Sequence, residues 1–216
     1  GTIIETWPNG RITRRCLSGD THTKLPDGTE KISNSQGASR TTRPDGSWTQ
    51  IDMDGTEVTQ LADGTKTFKL PSGQTLVNYP DGRRIQRNPD GTTITRRTDG
   101  VQIATLPNGV VNTRYPDGHV VQIELDGTKI ERLKDGVVVT YLPDGIIIAK
   151  YKDGHTIQRN VDGSKIESFT DGRVEQTSSC GRYMTKRASD GTTTTVRVKP
   201  GILDESIEHL LVESTS

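Results

Sequence analysis

The chain has little from which to build a thick interior. Of its 216 residues, 4% are aromatic and 29% belong to the set AVILMFWYC. With all 23 glycines added, the apolar share is still only about 40%, below the ~45–50% usual for globular domains. No apolar run approaches the length of a membrane-crossing helix, so no membrane is expected among its partners. No basic-then-apolar leader opens the chain, so no signal peptide is expected. Cysteine is scarce: Cys16 and Cys180 lie too far apart in sequence to form a disulfide framework, which favours a reducing compartment. Charge of one sign is missing as well. The 28 Lys and Arg balance 28 Asp and Glu, so self-repulsion gives no reason to unfold.

What is abundant is glycine, and it is strictly placed. From Gly1 to Gly181 a glycine falls at every ninth position, 21 in all, and Gly191 and Gly201 follow at spacings of ten. Asp precedes the glycine fourteen times between Asp27 and Asp171, and again at Asp190. Pro often stands before that pair, as at Pro26, Pro44, Pro80, Pro116 and Pro143. Pro presets φ for the second turn position, Asp tolerates the third, and Gly accepts the left-handed fourth. Such a turn closes a three-residue hairpin loop with a bulge. The residues between turns, rich in Thr, Ile, Val, Tyr and Arg, match a short strand. The repeat therefore predicts an all-β antiparallel meander of about 21 short strands over residues 1–201.

Parity sharpens this prediction. If the residue before Pro pairs with the residue after Gly, odd-numbered residues share one face and even-numbered residues the other. The column Ile85, Ile94, Ile103, Val121, Ile130, Val139, Ile148, Ile157 and Ile166 alternates parity, so each face receives only a thin apolar stripe. A sandwich needs one clean apolar face per sheet. A single free-standing layer, wet on both sides, is expected instead, roughly 100 Å long and about 20 Å wide. The dense Ile and Val between Val101 and Phe169 mark its most stable part. Beyond Gly201 the pattern changes. Leu203, Ile207, Leu210 and Leu211 have helical spacing, so residues 202–216 read as a short amphipathic helix or tail.

The candidate binding residues follow from the same geometry. Tyr79, Tyr115, Tyr151 and Phe169 share the position before the turn and one long edge of the odd face. Directly across their hairpins stand Arg83, His119, His155 and Arg173. Such aromatic–cation pairs hold a sheet together, and a row of exposed rings also suits docking of a polyproline segment. Arg83, Arg84, Arg87, Arg96 and Arg97 form a basic cluster; such charges keep a two-sided sheet from stacking, and they are also the place where a tubulin tail or another acidic partner would bind. Strand edges at the sheet ends favour homo-association. No nucleophile–His–acid set appears, so no enzyme activity, cofactor or metal is expected. A calcium-binding roll also repeats every nine residues with Asp and Gly, but it uses several glycines per unit. An extracellular calcium- or sugar-binding repeat module remains the alternative.

The tandem units Tyr79-Pro80-Asp81-Gly82, Tyr115-Pro116-Asp117-Gly118 and Leu142-Pro143-Asp144-Gly145 resemble a known family. It is the G-box, or T-complex protein 10 C-terminal domain, of centriole-elongation scaffold proteins. The resemblance spans about residues 1–200, with off-pattern turns at Leu17-Ser18-Gly19 and Ser35-Gln36-Gly37. It implies a free-standing antiparallel sheet that binds a proline-rich segment of a scaffold protein and self-associates end to end. It also implies a structural role in the cytoskeleton at a centriole, centrosome, basal body or flagellum.

Overall fold

The computed structural model describes residues 1–198, so the helix expected over 202–216 lies outside the described residues. Local turn chemistry sets everything else. At Pro26-Asp27-Gly28, the Gly28 N–H donates to the Leu25 carbonyl at 3.0 Å and the Leu25 N–H to the Thr29 carbonyl at 2.8 Å. Gly28 holds φ at +88°, a region that a Cβ penalises. Asp27 Oδ1 accepts the Thr29 N–H at 2.8 Å, which explains why a short acceptor precedes the glycine. The off-pattern turns close in the same way: the Gly19 N–H meets the Cys16 carbonyl at 3.0 Å, and the Gly37 N–H meets that of Asn34 at 3.3 Å.

Turns on one rim also interlock. A Cβ placed on Gly100 would stand 3.0 Å from Pro116 Cγ, and one on Gly28 3.2 Å from Pro44 Cγ. The proline ring of one turn thus fills the space left by an earlier glycine on the same rim. Glycine therefore serves twice, for its φ and for close approach.

The described residues carry 22 strands and fall into two compact units, Gly1–Pro116 and the remainder from Asp117. The first unit runs from β1 (Ile3–Thr6) and β2 (Ile12–Arg15) through β8 (Lys66–Lys69), β9 (Thr75–Asn78), β10 (Arg84–Arg87) and β11 (Thr93–Arg96) to β13 (Val111–Arg114). The second holds β14 (Val120–Ile123), β15 (Lys129–Arg132), β16 (Val138–Tyr141), β17 (Ile147–Lys150), β18 (Thr156–Arg159), β19 (Lys165–Ser168) and β20 (Val174–Thr177). It ends with β21 (Tyr183–Arg187) and β22 (Thr193–Arg197). Within each unit, every strand pairs antiparallel with its neighbours in the chain. Each unit is an open, single-layer meander, as the repeat predicts.

Register confirms the parity rule within each unit, through β20 in the second. Val139 faces Ala149, Ala149 faces Ile157, and Ile157 faces Glu167 on the odd side. On the even side Ile130 faces Thr140, and Thr140 faces Ile148. The rule then inverts. The loop after β20 has one extra residue, so the Ser178 N–H reaches the Tyr183 carbonyl and Thr177 pairs with Met184. Odd residues of β21 and β22 consequently share the face of the second unit's earlier even ones, and Tyr183 leaves the side of Tyr141 and Tyr151.

Burial is unequal along the sheet. Of the eight buried apolar residues among those described, seven (Val101, Val110, Val121, Val137, Val139, Ala149 and Ile157) lie in the stretch richest in Ile and Val. In the second unit, those that are buried all point to the odd side. Val137, Val139 and Ala149 form a small cluster with Leu133, Tyr141, Ile147 and Tyr151 packed against it. One face of this unit is thus more apolar than the Ile column alone implies. The first unit relies more on hydroxyl pairs, such as Thr13 with Thr23 at 3.3 Å and Thr59 with Thr49 at 3.4 Å.

Candidate peptide-docking surface

The odd face of the second unit is built from three parallel rows that cross the strands. The outer row begins with His119 and Leu133 on neighbouring strands, and Leu133 meets Val137 across one turn. It continues through Tyr151, His155, Phe169 and Arg173. Tyr151 stacks on His155 at 5.2 Å between ring centroids with planes 19° apart, and His155 stacks on Phe169 at 4.9 Å and 12°. The Arg173 guanidinium lies 4.7 Å from the Phe169 centroid. The result is a continuous π-stacked ridge with a cation at one end.

The middle row is recessed. It runs Val121, Glu131, Val139, Ala149 and Ile157, with Val139 and Ile157 each 3% exposed and Ala149 2%. The inner row places Lys129, Tyr141 and Ile147 side by side. Small and β-branched side chains therefore lie between bulkier rows.

Glu131 is the unexpected member. It is 5% exposed and faces Val121 and Val139 directly, yet it is charged. A buried carboxylate needs partners. Lys129 forms an ion pair with it, and the Tyr141 hydroxyl donates to its Oε2 at 3.3 Å. Lys129 Nζ also sits 4.9 Å from the Tyr141 ring centroid. Burial, and then the Glu131 carboxylate beside it, push the Tyr141 hydroxyl up to about 12. The phenol stays protonated and its ring is held on the odd face. Parity places Glu131 on this face, but nothing in the repeat shows that it is buried.

The other candidate residues are distributed by register. Tyr79 and Tyr115 belong to the first unit, and Arg83 stacks over Tyr79 at 4.1 Å from its centroid. Tyr115 is 37% exposed. His119 belongs to the second unit, in the same row as Leu133. The arginine cluster divides by face: Arg84 and Arg96 oppose each other on the even side, while Arg87 pairs with Thr75 and Thr93 on the odd side. Arg83 and Arg97 also lie on the odd side, engaging Asp81 at 3.9 Å and Asp99 at 2.9 Å. The turn carboxylates are similarly occupied, each taking a backbone N–H, as Asp153 takes that of His155 at 3.0 Å.

No protein-family model matches the chain, and no curated protein matches it. Solved structures do. The wild-type TCP10 domain of Danio rerio CPAP, in complex with a peptide of Danio rerio STIL, matches 83% of this chain and 99% of its own at 22% identity and a TM-score of 0.70. The G-box domain of the microcephaly protein CPAP covers 82% of this chain and 99% of its own, at 22% identity and a TM-score of 0.59. The Drosophila melanogaster SAS-4 TCP domain, in complex with a proline-rich motif of Ana2, covers 63% and 93%, at 22% identity and a TM-score of 0.57. The shared feature is the fold.

Proposed function

We propose that this chain is a structural scaffold module that binds a proline-rich segment of a partner across the odd face of the second unit. The observation that carries the reading is the spacing of the ridge. Tyr151 and Phe169 follow β17 and β19, two strands apart, which corresponds to about 9.6 Å. One turn of a polyproline II helix is about 9.3 Å. A proline-rich segment laid along the recessed row would return to the same ridge edge once per turn. Apolar rings beside small side chains suit such a ligand, whose preformed conformation loses little entropy on docking.

The solved relatives support the same reading, since one is bound to a STIL peptide and another to a proline-rich motif of Ana2. By that analogy the module acts at a centriole or centrosome, with a basal body or flagellum included. Its work is display of a rigid surface, not catalysis. Self-association through a sheet end belongs to the proposal: among the described residues β1 pairs with β2 alone, and an open edge templates another chain. Sedimentation velocity across a concentration series would show growth of larger species, and a monomer at all concentrations would count against it.

Calorimetric titration with the STIL peptide and the Ana2 proline-rich motif tests the docking site. Tyr151→Ala with Phe169→Ala should weaken binding by about 2 kcal/mol or more, roughly 30-fold. Equal affinity of the double variant and the parent would remove the ridge from the site.

A further inference from the structure

The even face of the first unit carries a second recessed surface. Phe68, Leu76, Gln86 and Ile94 lie in one row across β8 to β11. Gln86 directs its amide to Asn88 Oδ1 at 2.8 Å, so the row offers mainly hydrocarbon. In the adjacent row Asn78 faces Arg84, and Arg84 faces Arg96. Together these side chains enclose a groove of about 330 Å³ with an apolar floor and a cationic wall.

Two exposed like charges make up that wall. Arg84 and Arg96 stand directly opposite each other, and like charges so placed destabilise a sheet. The rim carboxylates Asp81 and Asp99 are engaged by Arg83 and Arg97 of the other face. They also accept the N–H groups of Arg83 and Val101. Among the described residues neither Arg84 nor Arg96 forms an ion pair.

We propose that this groove is a docking site for an extended, acidic and apolar segment of a protein partner. A carboxylate of that segment bridges the Arg84 and Arg96 guanidiniums, replacing their repulsion with charge-assisted hydrogen bonds. An apolar side chain next to it covers Phe68, Leu76 and Ile94. Charge complementarity selects the acid, and the aliphatic floor selects a peptide over a nucleic acid strand. Bases need stacking platforms, whereas Phe68 is the one ring lining the groove. The site lies in the first unit and on the even face, so it stands or falls independently of the odd-face ridge.

Fluorescence anisotropy with a labelled twelve-residue peptide of alternating glutamate and leucine, and with its glutamine-for-glutamate twin, tests the proposal. The parent protein should bind the glutamate peptide, and the twin about tenfold or more weakly. Arg84→Gln with Arg96→Gln should lose the same factor while melting no lower than the parent, because a repulsive pair has been removed. Tyr151→Ala should keep the parent's affinity for this probe. No binding by the parent, equal binding of the twin, or unchanged binding by the arginine variant would overturn the proposal. Tighter binding of a thymidine oligonucleotide than of the peptide would overturn it in favour of nucleic acid.

Discussion

Gly100 and Gly46 have nearly the same backbone, with φ at +86° and +84°, but different surroundings. A Cβ on Gly46 would meet nothing within 4 Å, whereas one on Gly100 would stand 3.0 Å from Pro116 Cγ. Gly46→Ala should therefore cost only the left-handed penalty, about 1–2 kcal/mol. Gly100→Ala should cost more, since a proline ring cannot rotate away. Urea unfolding of both variants checks this, and equal midpoints would mean the rim contact carries no energy. Tyr141 supplies a second test. Its hydroxyl is raised above the ordinary value, so its contribution to stability is intact below pH ~10 and lost as pH climbs towards about 12. Tyr141→Phe should flatten the loss of stability over that alkaline window. An unchanged profile would place the titrating group elsewhere.

Among the elements, the turn is the unit whose meaning was most legible in the sequence. Pro-Asp-Gly specifies the hairpin, and an odd repeat length assigns faces, so the strands and their pairing were both readable. Other features needed the structure. The contact of Pro44 with the space at Gly28 joins different hairpins and leaves no local mark. The inverted parity of β21 follows from one added residue, visible as a spacing of ten but ambiguous until the loop closes at Tyr183. The odd-face cluster of the second unit was obscured because the Ile column alternates, while Val137, Val139, Tyr141, Ile147 and Ala149 do not. The turns also predict how the fold responds to acid. Backbone N–H groups two residues on hold Asp54, Asp126, Asp171 and Asp190 below the usual carboxylate range. Asp45 and Asp162 are lowered chiefly by the Ser47 and Ser164 hydroxyls. Lowered groups stabilise above the ordinary carboxylate pKa and cease to as pH falls through their own values. The melting temperature should therefore hold from pH 7 to 5 and drop below about pH 4. Asn108 makes the same turn bond without charge, to the Val110 N–H at 3.2 Å. Replacing Asp126 and Asp162 with Asn should accordingly reduce the acid sensitivity; an undiminished drop would exclude the turn carboxylates as its source.

At the largest scale, each unit is a sheet without a second layer, in which the same strands present two surfaces of different character. In β17, Ala149 faces the recessed row beside the ridge while Ile148 faces the opposite side. In β18 and β19, Ile157 and Ile166 divide in the same way. Because no core links the faces, a ligand on one should leave the other nearly undisturbed. The decisive measurement is methyl NMR of the labelled chain titrated with the proline-rich motif of Ana2. The Val139, Ala149 and Ile157 methyls should shift in proportion to occupancy, while those of Ile130, Ile148 and Ile166 stay close to their free positions. Shifts confined to Ile130, Ile148 and Ile166, with the odd-face methyls silent, would contradict the account.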